Sequence, residues 1–133
     1  ILQPTSPFLL PNHIDECIGL LYENPEAQSS QTIANFPHNF HAYNQRLIEN
    51  RWLKFAFPEE RRRFYNKQRK PKFYIHGNLI VTRSKTILEE SEIFGNKSLH
   101  LLIPYHYALD LDGPDDLNVA EWYMEKGKVP LTF

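Results

Sequence analysis

The residues best suited to chemistry lie in Leu109-Asp110-Leu111-Asp112-Gly113-Pro114-Asp115-Asp116-Leu117, where carboxylates alternate with leucines and then meet a glycine-proline bend. In an extended segment alternate side chains share a face, so Leu109 and Leu111 point one way and Asp110 and Asp112 the other. Two carboxylates side by side repel, and unless a cation or donors neutralise them one is driven to keep its proton. A hard divalent cation resolves the conflict. Magnesium takes one or two carboxylates and completes its shell with substrate phosphates. The same residues also read as an acidic strand-to-helix turn, with Gly113-Pro114 as the bend and Asp115 and Asp116 at the positive end of the helix dipole.

The elements around this stretch must position it. The apolar run Leu99 to Tyr107 predicts a buried strand that delivers the acidic pair, and a helical pattern follows to about Lys126. At the other end, Ile1-Leu2-Gln3 reads as the last residues of a buried strand, followed by a tight turn, Pro4-Thr5-Ser6-Pro7. Asn12 with Asp15 three residues on suggests a capping box and a helix from His13 to Asn24. Its stripe Ile14, Cys17, Ile18 and Leu21 marks one helical face, which makes Cys17 a core residue and not a catalytic thiol. A strand from Ser29 to Asn35 completes an α/β unit, from which parallel strands joined by helices are expected. Phe73 to Thr82 is a further strand, and Gly77 within it is a candidate pocket floor, since glycine in a strand marks a bulge or a close ligand. Ser84 to Glu90 reads as a short helix capped by Ser84, and Phe94-Gly95-Asn96 as a turn. In an open parallel sheet ligands gather at the carboxyl ends of strands, where Gln3, Gly77 and Asp110 would converge.

Composition sets outer limits. The 133 residues suit one domain, and the single cysteine excludes an intrachain disulfide and fits a reducing, cytoplasmic compartment. No membrane span or signal peptide is expected. A net charge of -1 hides an asymmetry: Arg46 to Lys72 holds ten Lys or Arg against three Glu, so this segment carries +7 and the remainder -8. Two flanks, Ala42 to Gln45 and Arg51 to Phe55, surround Leu47-Ile48-Glu49-Asn50 and suggest a hairpin. Arg61 to Lys72 then interleaves basic residues with aromatics, a mixture that suits an arm gripping an anionic small molecule and a second subunit. It equally suits a solvated loop, or a non-catalytic interaction module that binds a partner protein or a nucleic acid, although no nucleic-acid motif accompanies it. His38 and His41 lack the further ligands of a zinc site, His76 and His106, in strands, suit a structural or substrate-contacting role better than metal ligation, and no nucleophile elbow supports a hydrolase.

Several segments together resemble one family. Ile1-Leu2-Gln3-Pro4-Thr5-Ser6-Pro7, Asn66 to Gly77, and Leu109 to Leu117 followed by Ala120-Glu121-Trp122 are similar, in this order, to motifs of the CMP-sialic acid synthetases, or acylneuraminate cytidylyltransferases. The resemblance spans nearly the whole chain and corresponds to the later part of the family's domain, without the early glycine-rich, basic loop that holds CTP phosphates. It implies a Rossmann-like nucleotide-diphospho-sugar transferase fold of α/β class, here partial, with a projecting β-rich dimerisation arm over about 38–72 and a homodimer. It also implies transfer of CMP from CTP to a nine-carbon α-keto acid sugar, with release of pyrophosphate. Asp110 and Asp112 would hold Mg2+; Gln3 would face the sugar or nucleotide; Gln68, Phe73 or Tyr74, and Gly77 would line the sugar pocket. His76 stands where the family has asparagine, Lys67 where it has arginine, and Phe8-Leu9 where it has Leu-Arg.

Overall fold

The computed structural model describes residues 1–130. It divides the chain into two compact units: Ile1–Asn35 with the chain from Ile75 onward, and Phe36–Tyr74. The protein is mixed α/β.

The first unit is built on a three-stranded sheet in the order β4 (Ile75–Thr82), β1 (Ser29–Ala34), β5 (Ser98–Ile103). β1 runs parallel to β5 and antiparallel to β4, so the sheet is mixed and the expected all-parallel pairing is corrected. Helix α1 (Pro11–Glu23) precedes β1, α3 (Ser84–Glu90) precedes β5, and α4 (Pro114–Glu125) follows it. Helix α1 packs on the sheet through Cys17 and Leu21, and the Ser30 hydroxyl donates to the Cys17 carbonyl at 2.6 Å. Cys17 is fully buried, as its place on the apolar stripe required, whereas Ile18 is exposed and His13 takes its share of the buried face. The start of α1 differs from the capping box at Asn12: Pro11 occupies the first turn, and His13 Nδ1 accepts from the Leu10 N–H at 3.4 Å. Proline at the first helical position costs nothing, because its missing N–H had no helical partner. At the other end Arg83 donates from Nη2 to the Leu21 carbonyl, which the helix leaves open, and from Nε to the Ala27 carbonyl in the loop beyond it. Arg83, not Ser84, precedes α3 as its cap residue.

The pairing of β1 with β4 carries an irregularity that the rest of the unit uses. Gln31 pairs with Ile80 and Ile33 with His76, so the single residue Thr32 faces Gly77, Asn78 and Leu79. A bulge of this kind removes ladder partners from amides that remain buried. Thr32 Oγ1 replaces them: it accepts from the N–H groups of Asn78 at 2.8 Å and Leu79 at 3.0 Å, and lies 3.1 Å from Asn78 Oδ1. Gly77 is required by the same plug, since a Cβ there would fall 2.7 Å from Thr32 Cβ and 2.9 Å from its carbonyl carbon. The fully buried Asn78 then donates from Nδ2 to the carbonyls of Tyr107 at 3.0 Å and Phe8 at 3.5 Å, and reaches His13 Nδ1 at 3.4 Å.

β5 ends at Ile103, with Pro104 and a 3-10 turn over Tyr105–Ala108, so the strand expected to reach Tyr107 is shorter. It is also half-exposed, as an edge strand with one face on the core. β4 likewise begins at Ile75 rather than Phe73. Phe8, Ala120 and Val129 form a second cluster on which Tyr107, Leu109, Leu111 and Tyr123 pack.

The second unit holds one hairpin, β2 (Arg46–Glu49) and β3 (Trp52–Phe55), with helix α2 (Pro58–Arg63) and three 3-10 turns. The hairpin is longer than expected because Leu47, Ile48 and Glu49 are strand and the turn is only Asn50-Arg51, both at positive φ (48° and 75°). Positive φ at both central residues gives the twist that a two-residue hairpin loop requires. One hairpin, a helix and turns make this unit less β-rich than expected. His41 is buried within it: Nδ1 accepts from the Tyr43 N–H at 3.1 Å and Nε2 meets the Pro71 carbonyl at 3.0 Å, so both ring nitrogens are engaged.

Replacing Thr32 by valine would leave two buried amides without acceptors and should cost about 2–4 kcal/mol in urea denaturation, whereas Thr32→Ser keeps the acceptor and should cost about 1 kcal/mol or less.

Candidate functional site

Three segments meet at one end of the sheet in the first unit. The register places Ala34 beside Ile103 and beside Ile75, so the carboxyl ends of β1 and β5 coincide with the amino end of β4. From there the chain passes through the Tyr105–Ala108 turn into Leu109-Asp110-Leu111-Asp112. Leu109 and Leu111 pack on the Phe8 cluster, and Asp110 and Asp112 are the other members of the alternation. The segment is extended but unpaired to any strand. What holds it is a bond from the Leu111 N–H to the Thr5 carbonyl at 2.9 Å, which ties it to the loop that follows Gln3. Asn78 completes the clamp from the sheet side through Phe8 and Tyr107.

The two carboxylates have different surroundings. Asp112 is exposed. Asp110 is half-buried, and its Oδ1 is buried with no hydrogen-bond partner. Asp116 is engaged with the helix start, where its Oδ2 accepts from the N–H groups of Asp112 and Gly113, each at 2.9 Å, closing the first turn of α4. The helix-start reading of the acidic stretch is met by Asp116, while Asp110 Oδ1 has no hydrogen-bond partner. A cavity of about 290 Å³ opens here, lined by Asp110 and Asp116 with Tyr105, Ala108, Leu109, Val119 and Tyr123; Asp112 does not line it. Desolvation raises the Tyr123 phenol above its ordinary pKa, with a smaller push from Tyr105.

His76, expected from its place in a strand to be structural or substrate-contacting, is a neighbour of Asp110. Its Nδ1 is also buried without a partner. Desolvation holds its pKa below the ordinary histidine value, and the nearby Asp110 charge opposes that shift. Asn78, which supports the whole arrangement, went unremarked in the sequence; the only signal for it was a polar residue between apolar ones in a strand.

The other expected site residues are placed as follows. Gln3 is exposed; its backbone carbonyl accepts from the Ser6 N–H at 3.1 Å, and its Oε1 lies 3.5 Å from the Ser6 hydroxyl. Gly77 is buried, and its side-chain space is taken by Thr32, so packing accounts for the glycine that was expected to floor a pocket. Gln68 and Tyr74 belong to the second unit, both exposed, Gln68 in the 3-10 turn over 67–69. The Phe73 ring stacks on His41 with centroids 4.8 Å apart. The Lys67 side chain lies outside what the structure describes. Among the described residues no group of three or more His, Cys, Asp or Glu converges, so a cation here would draw part of its shell from a ligand.

No protein-family model matches the chain, and no curated protein matches it significantly. Among the described residues no helix is long and apolar enough to cross a membrane.

Burial lowers the pKa of His13, His76 and His106, in each case mainly by desolvation. The unfolded chain then binds more protons than the native one below the ordinary histidine pKa of about 6.5, so stability falls as the solution is acidified through that value. The melting temperature should be lower at pH 5.5 than at pH 7.5; a flat or inverted profile between them would contradict the burial assigned to these rings.

Proposed function

We propose that the chain is the later part of a cytidylyltransferase of the CMP-sialic acid synthetase type. It would join CMP from CTP to a nonulosonic acid and release pyrophosphate, working as part of a longer, Rossmann-like domain. The observation that supports this reading best is the buried, unpartnered Asp110 Oδ1 next to Asp112. A buried acceptor without a donor costs about 1–3 kcal/mol, and such a cost is tolerated where the group has a ligand to meet.

The donor set suits magnesium. Asp110 and Asp112 would hold the ion, whereas Asp116 has one carboxylate oxygen committed to the helix cap. When bound, the ion would neutralise charge on the CTP phosphates as the sugar hydroxyl attacks the α-phosphorus. The chain's own part is positional. The Leu111–Thr5 bond keeps the acidic segment and the Gln3 loop together, so a ligand held by Asp110 lies near the loop that would present Gln3 to sugar or nucleotide. Gln68 and Tyr74 enter this reading through the sequence resemblance alone.

A homodimer and a cytoplasmic setting belong to the same proposal. The hairpin supports the first: Ile48 is 79% and Trp52 74% exposed, with Leu47 and Leu53 also open, on a two-stranded sheet that is marginal by itself.

The deciding assay is CTP- and magnesium-dependent pyrophosphate release by the full-length protein against a panel of nonulosonic acids and Kdo. Asp110→Ala and Asp112→Ala should each lower turnover by about a hundredfold or more. Wild-type-like turnover in either variant would remove the metal role.

A further inference from the structure

The second unit gathers positive charge around one residue without supplying a carboxylate. Asn44 Oδ1 accepts from Arg61 Nη1 at 2.9 Å and from Lys70 Nζ at 2.6 Å, and the Asn44 backbone carbonyl accepts from Arg46 Nη1 at 3.0 Å. The amide is held in this orientation by its Nδ2, which donates to the His38 carbonyl at 2.9 Å. Arg46 and Arg61 also lie over the Phe55 ring, at 4.8 and 4.2 Å from its centroid. Among the described residues no carboxylate lies within ion-pairing distance of Arg46, Arg61 or Lys70; Glu49, in the same unit, pairs with Lys54.

Such an arrangement is electrostatically incomplete. A neutral amide oxygen orders two cations but does not cancel their repulsion, which a charge-assisted bond to an oxyanion would do. The pKa of Lys70 is lowered, mainly by desolvation and to a smaller extent by the Arg61 charge. Beside the cluster lies an open cavity of about 360 Å³ lined by Phe55, Pro58, Arg61, Arg62 and Tyr65, apolar over most of its wall and bordered by two guanidinium groups. Arg61 belongs to both features. It therefore carries donors at the edge of a cavity whose walls suit a carbon skeleton or a ring.

We infer that Arg61 and Lys70, ordered by Asn44, form a binding site for a small organic oxyanion, a phosphoryl or carboxylate group, whose apolar portion rests in the Phe55–Tyr65 cavity. The site lies wholly within the second unit and does not depend on the cytidylyltransferase reading; either can fail alone.

Titration of the 15N-labelled full-length protein with inorganic phosphate, and separately with malonate, at ionic strength held constant by sodium chloride, tests it. Saturable shifts of the Asn44 side-chain amide and Arg61 Nε signals are expected. Saturation by phosphate alone identifies a phosphoryl ligand, and by malonate alone a carboxylate. Lys70→Gln keeps a donor for Asn44 but removes the charge, and should raise the dissociation constant about tenfold, as should Arg61→Gln; Lys70→Arg should bind within a few-fold of wild type. Responses that do not saturate with either anion, or charge-removing variants that bind as tightly as the wild type, would overturn the site.

Discussion

The first unit depends on one hydroxyl. Thr32 Oγ1 stands in for the backbone acceptors that the β1–β4 ladder gives up at its bulge, and thereby keeps the Asn78 and Leu79 amides satisfied without solvent. That bulge turns the Asn78 side chain into the interior, where it holds the loop at Phe8, the ring of His13 and the turn at Tyr107. Large apolar side chains contribute less than usual: Leu79 is the main fully buried one, in the company of Ser29, Ser30, Thr32 and Asn78. A polar core of this kind is specific in direction. It stabilises one arrangement of loop, helix and turn, and penalises others that would leave its groups unpaired.

From that anchored frame hangs a group that is not satisfied. The Asp110 segment is fixed by its neighbours, through Leu109 and Leu111 in the Phe8 cluster and the Leu111 amide on Thr5, while Asp110 Oδ1 itself receives nothing. Rigid backbone and an uncommitted carboxylate together are what a preorganised ligand site requires. The second unit has the converse imbalance within itself, with Arg46, Arg61 and Lys70 converging on Asn44 oxygens that carry no formal charge.

Much of this was readable from the residues, and the exceptions have physical causes. Helix α1, strand β1 and the acidic bend into α4 were legible because apolar spacing or a glycine-proline pair specifies them locally. The start of α1 differs from the expected one because a histidine side chain serves the amide at its N-terminus, a role that residue type alone assigns to Asn12. The hairpin turn was displaced because its strands are exposed on both faces and carry no alternation to read. The direction of β4 was not legible at all, since strand composition is the same whichever way a strand runs. Within the candidate site, Asp110, Asp112 and His76 could be singled out by type and position, but Asn78 became relevant only through contacts far apart in sequence.

The packing of Thr32 against Gly77 has an evolutionary corollary. Neither position is free to drift alone: a side chain at 77 needs the volume that threonine fills, and a residue at 32 without a hydroxyl abandons the amides that the missing side chain exposes. Descendants of this chain should therefore change the two positions jointly, or hold both constant. Where alanine or serine replaces the glycine, the opposing strand should carry a smaller residue, and the kink in the neighbouring strand should have been ironed out.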